Sequence, residues 1–114
     1  MAYIDGFVAA VPTANREAYR AYAQKSARMF KDHGAIAIVE GWGDDVPDGE
    51  VTSYSMAVKK KDDETVIFSW ITWPDKATRD AAWKALMDGP DMSQDMPFDG
   101  KRMIYGGFEA IVEA

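Results

Sequence analysis

The chain has 114 residues, 19 acidic and 13 basic side chains, a formal net charge of -6 and no cysteine. That length suits one domain with a single core, and the lack of thiols excludes disulfides, thiolate metal sites and cysteine nucleophiles. The acidity argues against a nucleic-acid role, which needs clustered Lys and Arg; the only basic run, Lys59-Lys60-Lys61, is cancelled at once by Asp62-Asp63-Glu64.

Tyr3 to Val11 is dense in apolar residues and ends at Pro12, so it reads as a first strand with Asp5 its one charge. From about Ala14 to His33 the period becomes helical. Tyr19, Tyr22, Ala23, Ser26, Met29, Phe30 and His33 share one face, while Arg16, Arg20, Lys31 and Asp32 lie on the other. Thr13 or Asn15 can cap the start of this helix, and Gly34 suits its end. Ala35 to Trp42 is a second strand. Gly41 and Gly43 bracket Trp42, which predicts a bulge or a close backbone approach.

Asp44 to Glu50 is an acidic loop, and Thr52 to Lys59 fits either a short helix or a strand. Thr65 to Trp73 is the third strand. A second helix follows Pro74, with Asp75 as N-cap and Ala82, Trp83, Leu86 and Met87 as its buried side; Gly89-Pro90 stops it. Asp91 to Lys101 reads as a loop, and Met103 to Val112 as the last strand.

Residues 1–114 thus form one α+β domain of order βαββαβ. This is the ferredoxin-like pattern, a four-stranded antiparallel sheet with two helices on one face. No segment is left to cover the other face, which would carry large apolar side chains. Isologous pairing, sheet against sheet, is the simplest remedy, so a homodimer is expected. No run approaches the roughly 18 apolar residues that span a bilayer. The opening Met1-Ala2-Tyr3-Ile4-Asp5 has no basic region before an apolar stretch, so a cytoplasmic protein without membrane or nucleic-acid partners is expected.

His33 is the sole histidine, so any imidazole chemistry must use it. At a helix C-terminus it can act as an acid or base, or more plainly as a cap for free carbonyls. Glu40 lies within an apolar strand, where a carboxylate is costly unless paired or solvated, and where its pKa shifts. Trp42 shares its strand face and can wall a pocket. Asp5 reads instead as an edge residue or a partner for Arg79, Arg102 or Lys101. Tyr22, Trp42 and Trp70 could line a cavity for a flat ligand, although core and dimer packing explain at least two of the four tryptophans. Arg102 could hold an anionic group or lie at the surface. The acidic loop makes a poor calcium site, because Val46 and Ser55 stand where oxygen ligands belong. No P-loop, dinucleotide fingerprint or serine-nucleophile elbow occurs.

Four segments resemble the YbaA-like family of uncharacterised bacterial proteins. They are Tyr3-Ile4-Asp5-Gly6-Phe7-Val8-Ala9-Ala10-Val11-Pro12, His33-Gly34-Ala35 followed by Glu40, Val66-Ile67-Phe68-Ser69-Trp70-Ile71, and Phe98-Asp99-Gly100-Lys101-Arg102-Met103-Ile104-Tyr105-Gly106-Gly107-Phe108. The likeness covers nearly the whole chain, and the last string is the most specific. It implies a protomer of the dimeric α+β barrel type. It assigns no catalytic residue, since the family has no established activity.

Two functional readings follow. One is a small-molecule enzyme without a bound cofactor or metal, of proton-transfer or oxygenase type. Its pocket would lie between the sheet and the first helix, with His33 and Glu40 as catalytic residues and Tyr22, Trp42, Trp70 and Arg102 as ligand contacts. The alternative is a non-catalytic dimer that binds a small hydrophobic or aromatic metabolite. Haem ligation by His33 is a third possibility, without a motif behind it.

Overall fold

The computed structural model describes residues 1–89 and 96–114. The helix stop at Pro90 and most of the loop expected from Asp91 lie outside the described residues. Four strands, β1 (Tyr3–Pro12), β2 (Ala37–Trp42), β3 (Glu64–Trp73) and β4 (Ile104–Glu109), form one sheet in the order β2-β3-β1-β4. Every neighbouring pair is antiparallel. The helices are α1 (Arg16–Asp32), the single turn α2 (Tyr54–Ala57) and α3 (Lys76–Met87).

Alternation along each strand sorts the side chains into two layers. On β1 the odd-numbered residues face α1 and α3. Ala9 and Val11 pack with Ile67 of β3 and with Tyr19 and Ala23 of α1. Nearer the start of β1, Tyr3 and Phe7 pack with Ile71, Trp73 and Ala82. The register sets Ala9 against Ile67 and Tyr3 against Trp73, which brings these residues into one layer.

The opposite layer departs from expectation at one end. The ambiguous stretch around Thr52 is helical, because Ser53 caps α2 by accepting a hydrogen bond from the Met56 backbone N–H at 3.0 Å. This turn carries Val58 over Val8, Ala10 and Val66, so part of the second face is covered from within the chain. The remainder is open: Val39 is 41% exposed, Phe68 42%, Trp70 36%, Ile104 45% and Phe108 62%.

The ends of α1 are made differently from expectation. A 3-10 turn, Thr13–Asn15, precedes it, and neither polar residue caps through its side chain. Thr13 pairs with Thr65 hydroxyl to hydroxyl at 2.7 Å, and the Asn15 amide donates to the Pro97 carbonyl at 3.1 Å. Both side chains tie the helix start to distant segments instead. Gly34 does end the helix, at φ +105°, where a side chain would be strained. A β-carbon there would also stand 2.8 Å from Thr78. Asp75 caps α3 as expected, accepting from the Thr78 N–H at 2.7 Å. On that helix Ala82 and Leu86 are buried and Trp83 is half-buried. Met87, expected inside, is 68% exposed at the last residue of the helix. Gly43 makes the predicted close approach: its N–H donates to the Val66 carbonyl at 2.8 Å, extending the β2–β3 pairing.

Asp5 is buried rather than at an edge, and it takes the Arg79 partnership. Its carboxylate accepts from Trp73 Nε1 at 2.9 Å, Trp83 Nε1 at 2.8 Å, and Arg79 Nη2 at 2.8 Å and Nε at 3.1 Å. Gly107 lies opposite Asp5 on β4. A β-carbon at Gly107 would come within 2.9 Å of Arg79 Nη2 and 2.5 Å of the Tyr3 hydroxyl, so its bare backbone admits the guanidinium. Asp5→Ala would strand one cation and two indole N–H groups. We expect a loss of about 3–5 kcal/mol, read as a lower urea midpoint with unchanged slope; a midpoint within error of wild type would show that this cluster is not a structural hub.

Candidate functional site

A cleft of about 380 Å³ opens between α1 and the edge strand β2. Small residues make the room: Ala23 and Ala27 are the helix side chains facing the strand there. The β2 wall is Ile38, Glu40 and Trp42, all on the helix-bearing face. Arg16, Tyr19, Arg20 and Gln24 complete the helix wall.

Glu40 and Tyr19 form the centre. The Tyr19 hydroxyl donates to Glu40 Oε1 at 2.6 Å, a short charge-assisted contact. Packing locks the tyrosine ring. Its centroid is 6.4 Å from Trp42 and 5.7 Å, edge-on, from Phe98. Glu40 still meets solvent at the mouth of the cleft, but aromatic and aliphatic walls displace much of its water. That desolvation pushes its pKa above the ordinary carboxylate value, against hydrogen bonds from Tyr19 and Ser69 that pull it down. Burial, then the negative charge of Glu40, push the Tyr19 phenol upward as well. Tyr19 therefore stays protonated and donates. A carboxylate accepts about four hydrogen bonds, and the Tyr19 hydroxyl leaves it capacity for a ligand. At the rim, the Arg16 guanidinium lies 5.4 Å from the Trp42 ring centroid.

The residues expected in a site separate into four places. Glu40 and Trp42 come together as foreseen. Tyr22 stands behind them, its ring 5.9 Å from Phe98, with its phenol pKa raised chiefly by burial. His33 follows the last residue of α1, exposed, with Nδ1 2.8 Å from the Met29 carbonyl oxygen. It lies fourteen residues along the helix from Tyr19, about 21 Å at 1.5 Å per residue. Trp70 occupies the opposite face of the sheet, packed edge-on against Phe68 at 5.7 Å. Arg102 is engaged with protein partners. It meets Glu64 at 2.6 Å and Asp99 at 3.0 Å, and donates to the Lys59 carbonyl at 2.8 Å.

Sequence reasoning placed Tyr19, Arg16 and Arg20 on α1 without assigning them to the site. The cost of Glu40 in an apolar strand was the available signal, because it demands a donor from the facing helix, and Tyr19 lies on that helix's apolar stripe. A larger hollow of about 520 Å³ lies beside the acidic loop, lined by Asp44, Asp48, Asp62, Lys59 and Lys60 among others. Its lining is acidic on balance, with three aspartates and the Arg102-paired Glu64 against two lysines. Among the described residues no group of three or more His, Cys, Asp or Glu is placed to hold a metal ion.

The fold and the cleft together define a small α+β protein whose sheet edge and first helix enclose a carboxylate–tyrosine pair. The chain belongs to the family described as protein of unknown function DUF1428, whose profile matches residues 2–100. It is 55% identical to uncharacterized protein YbaA of Escherichia coli strain K12, over 99% of each chain. The protein of the same name from Shigella flexneri matches to the same degree. The family resemblance read from the sequence is thereby shown. No helix of the described residues is long and apolar enough to cross a membrane.

The Arg102–Glu64 pair gives a pH signature separate from the cleft. The guanidinium, with the Lys61 backbone N–H, holds the Glu64 carboxyl down to about 2. A depressed carboxylate contributes stability that is complete above its unfolded pKa of about 4.5 and is lost as pH falls toward 2. Glu64→Gln should remove about 2 kcal/mol at neutral pH and flatten the acid limb of a stability-versus-pH curve between about 5 and 2. An acid limb as steep as that of wild type would place the sensitivity elsewhere.

Proposed function

We propose that this protein is a proton-transfer enzyme acting on a small organic molecule in the α1–β2 cleft. The observation that carries the reading is the Tyr19–Glu40 hydrogen bond of 2.6 Å within a partly desolvated cleft. A carboxylate of ordinary proton affinity is a weak base near neutrality; desolvation strengthens it toward the range where general catalysis is efficient. Glu40 takes a proton from a C–H beside a carbonyl of the bound molecule and becomes a neutral carboxylic acid. The electron pair left behind forms an enolate. Glu40 then returns the proton to a different atom, or to the same carbon, so the cycle balances with no further reactant. Tyr19, fixed by Trp42 and Phe98, aims the carboxylate and is a positioning residue. Nothing in the position of His33 supports a share in this step.

The clearest test follows exchange of the benzylic protons of phenylacetone in heavy water by NMR. Wild type should accelerate it over buffer. Glu40→Gln should lose at least about 100-fold of that acceleration, and His33→Ala should keep it. Full exchange by Glu40→Gln, or none by wild type, would overturn the assignment. A carboxylate whose pKa rises on folding detracts from stability once ionised, so Glu40→Gln should melt no lower than wild type at neutral pH.

The protomer is further proposed to be ferredoxin-like and to pair as a dimeric α+β barrel in the cytoplasm. The β2-β3-β1-β4 antiparallel order supports the fold, and the open apolar layer of Val39, Phe68, Trp70, Ile104 and Phe108 supports the pairing. Light scattering at micromolar concentration should give twice the chain mass, falling to one chain for Phe68→Glu. A wild-type monomer would refute the pairing.

A further inference from the structure

The order of groups along the cleft carries chemical information about what fits it. Trp42, Glu40 and Ile38 are spaced two residues apart on β2, about 6–7 Å between successive side chains. Along the facing helix the lining runs Arg16, Tyr19, Arg20, Ala23, Gln24 and Ala27. Tyr19 meets both Glu40 and Trp42. One end of the cleft is therefore cationic, its middle holds the Glu40 carboxylate, and its far end is aliphatic but for the neutral Gln24 amide.

The cationic end runs against the net charge of the chain. The protein carries six more negative than positive formal charges, yet two guanidiniums stand one helical turn apart at the rim. Asp5 and Asp80 engage Arg79, and Glu64 and Asp99 engage Arg102. Among the described residues Arg16 and Arg20 form no ion pair of that kind. Arg16 is held over Trp42 instead, which orders it without using its hydrogen-bond donors. Both lie in the first turns of α1, where the helix dipole adds to the positive potential.

The geometry points to a small monocarboxylic acid with an apolar body as the substrate class. Its carboxylate would pair with Arg16 and Arg20, and its aromatic or short aliphatic part would lie along Ala23, Ala27 and Ile38. The acidic carbon, separated from the head group by a single carbonyl, then falls beside Glu40. The two guanidiniums offset the repulsion between substrate anion and Glu40, and they stabilise the enolate that forms on proton removal. This inference rests on the proton-transfer reading of the same cleft.

Phenylpyruvate and phenylacetone separate the two ideas, because they share a benzylic C–H and differ in the carboxylate. Calorimetry should show phenylpyruvate binding wild type at least tenfold more tightly than phenylacetone, about 1.4 kcal/mol. The Trp42 indole N–H resonance should shift on binding, and added salt should weaken it. The double variant Arg16→Gln, Arg20→Gln should lose that preference while binding phenylacetone as before. Glu40→Gln should still bind phenylpyruvate but no longer exchange its benzylic proton. Equal affinity for the two compounds, a preference that survives in the double variant, or no phenylpyruvate binding at millimolar concentration would each overturn the anion assignment. Preferential phenylpyruvate binding without exchange would uphold the anion site and remove the proton-transfer reading. Exchange of both compounds without preference would do the reverse.

Discussion

Strand β3 imposes the constraint on which the rest of this fold depends. It is paired on both sides, with β2 and with β1. Its side chains must alternate between two layers. The register that buries Ile67, Ile71 and Trp73 beneath the helices therefore sends Phe68 and Trp70 to the opposite layer. A slip of one residue would exchange the two sets and put Ser69 among the apolar residues of the second face. The cleft follows from the same register. Glu40 stands opposite Ser69 and Trp42 opposite Ile67, so both face α1 rather than the open layer.

Two buried charge clusters hold the sheet to its surroundings in different ways. Asp5 gathers donors from β3 and α3 and fixes the packing of two tryptophans. Glu64 binds Arg102, which in turn holds the Lys59 carbonyl after α2. Arg102 thus ties the segment leading into β4 to the turn that shelters one end of the second face. The carboxylate of Glu40 differs from both. Desolvation dominates there, because its short-range donor is a neutral hydroxyl and no arginine lies within salt-bridge distance among the described residues; its proton affinity rises where that of Glu64 falls.

The strands and the two longer helices were legible because local pattern and tertiary role agree in them. Odd and even residues of β1 and β3 separate cleanly, and the stripe of α1 through Tyr19 and Ala23 is the one that packs. Gly34 and Asp75 sit where backbone geometry demands them. The start of α1 was not legible, since Thr13 and Asn15 serve partners more than fifty residues away that no local rule reveals. Of the site, the cost of Glu40 and its shared face with Trp42 were visible. The distances of His33, Trp70 and Arg102 from that cleft were not, because a strand face can be read from alternation but its partner layer cannot. The pairing of Glu64 was hidden by its place in an acidic run that resembles a solvated turn.

The strand order also shapes how the chain must assemble. β1 is central, yet both its neighbours come late in sequence: Pro12 meets Glu64, and Tyr3 meets Trp73 and then Glu109. The first strand to form therefore has no adjacent hairpin to join. During synthesis its apolar residues wait beside α1 until β3 has emerged, and the β4 edge is added only near the end of the chain. Long loops must close before the central ladder forms, which places this domain among slow, non-locally wired folders, with an early window in which an unpaired strand can meet another chain.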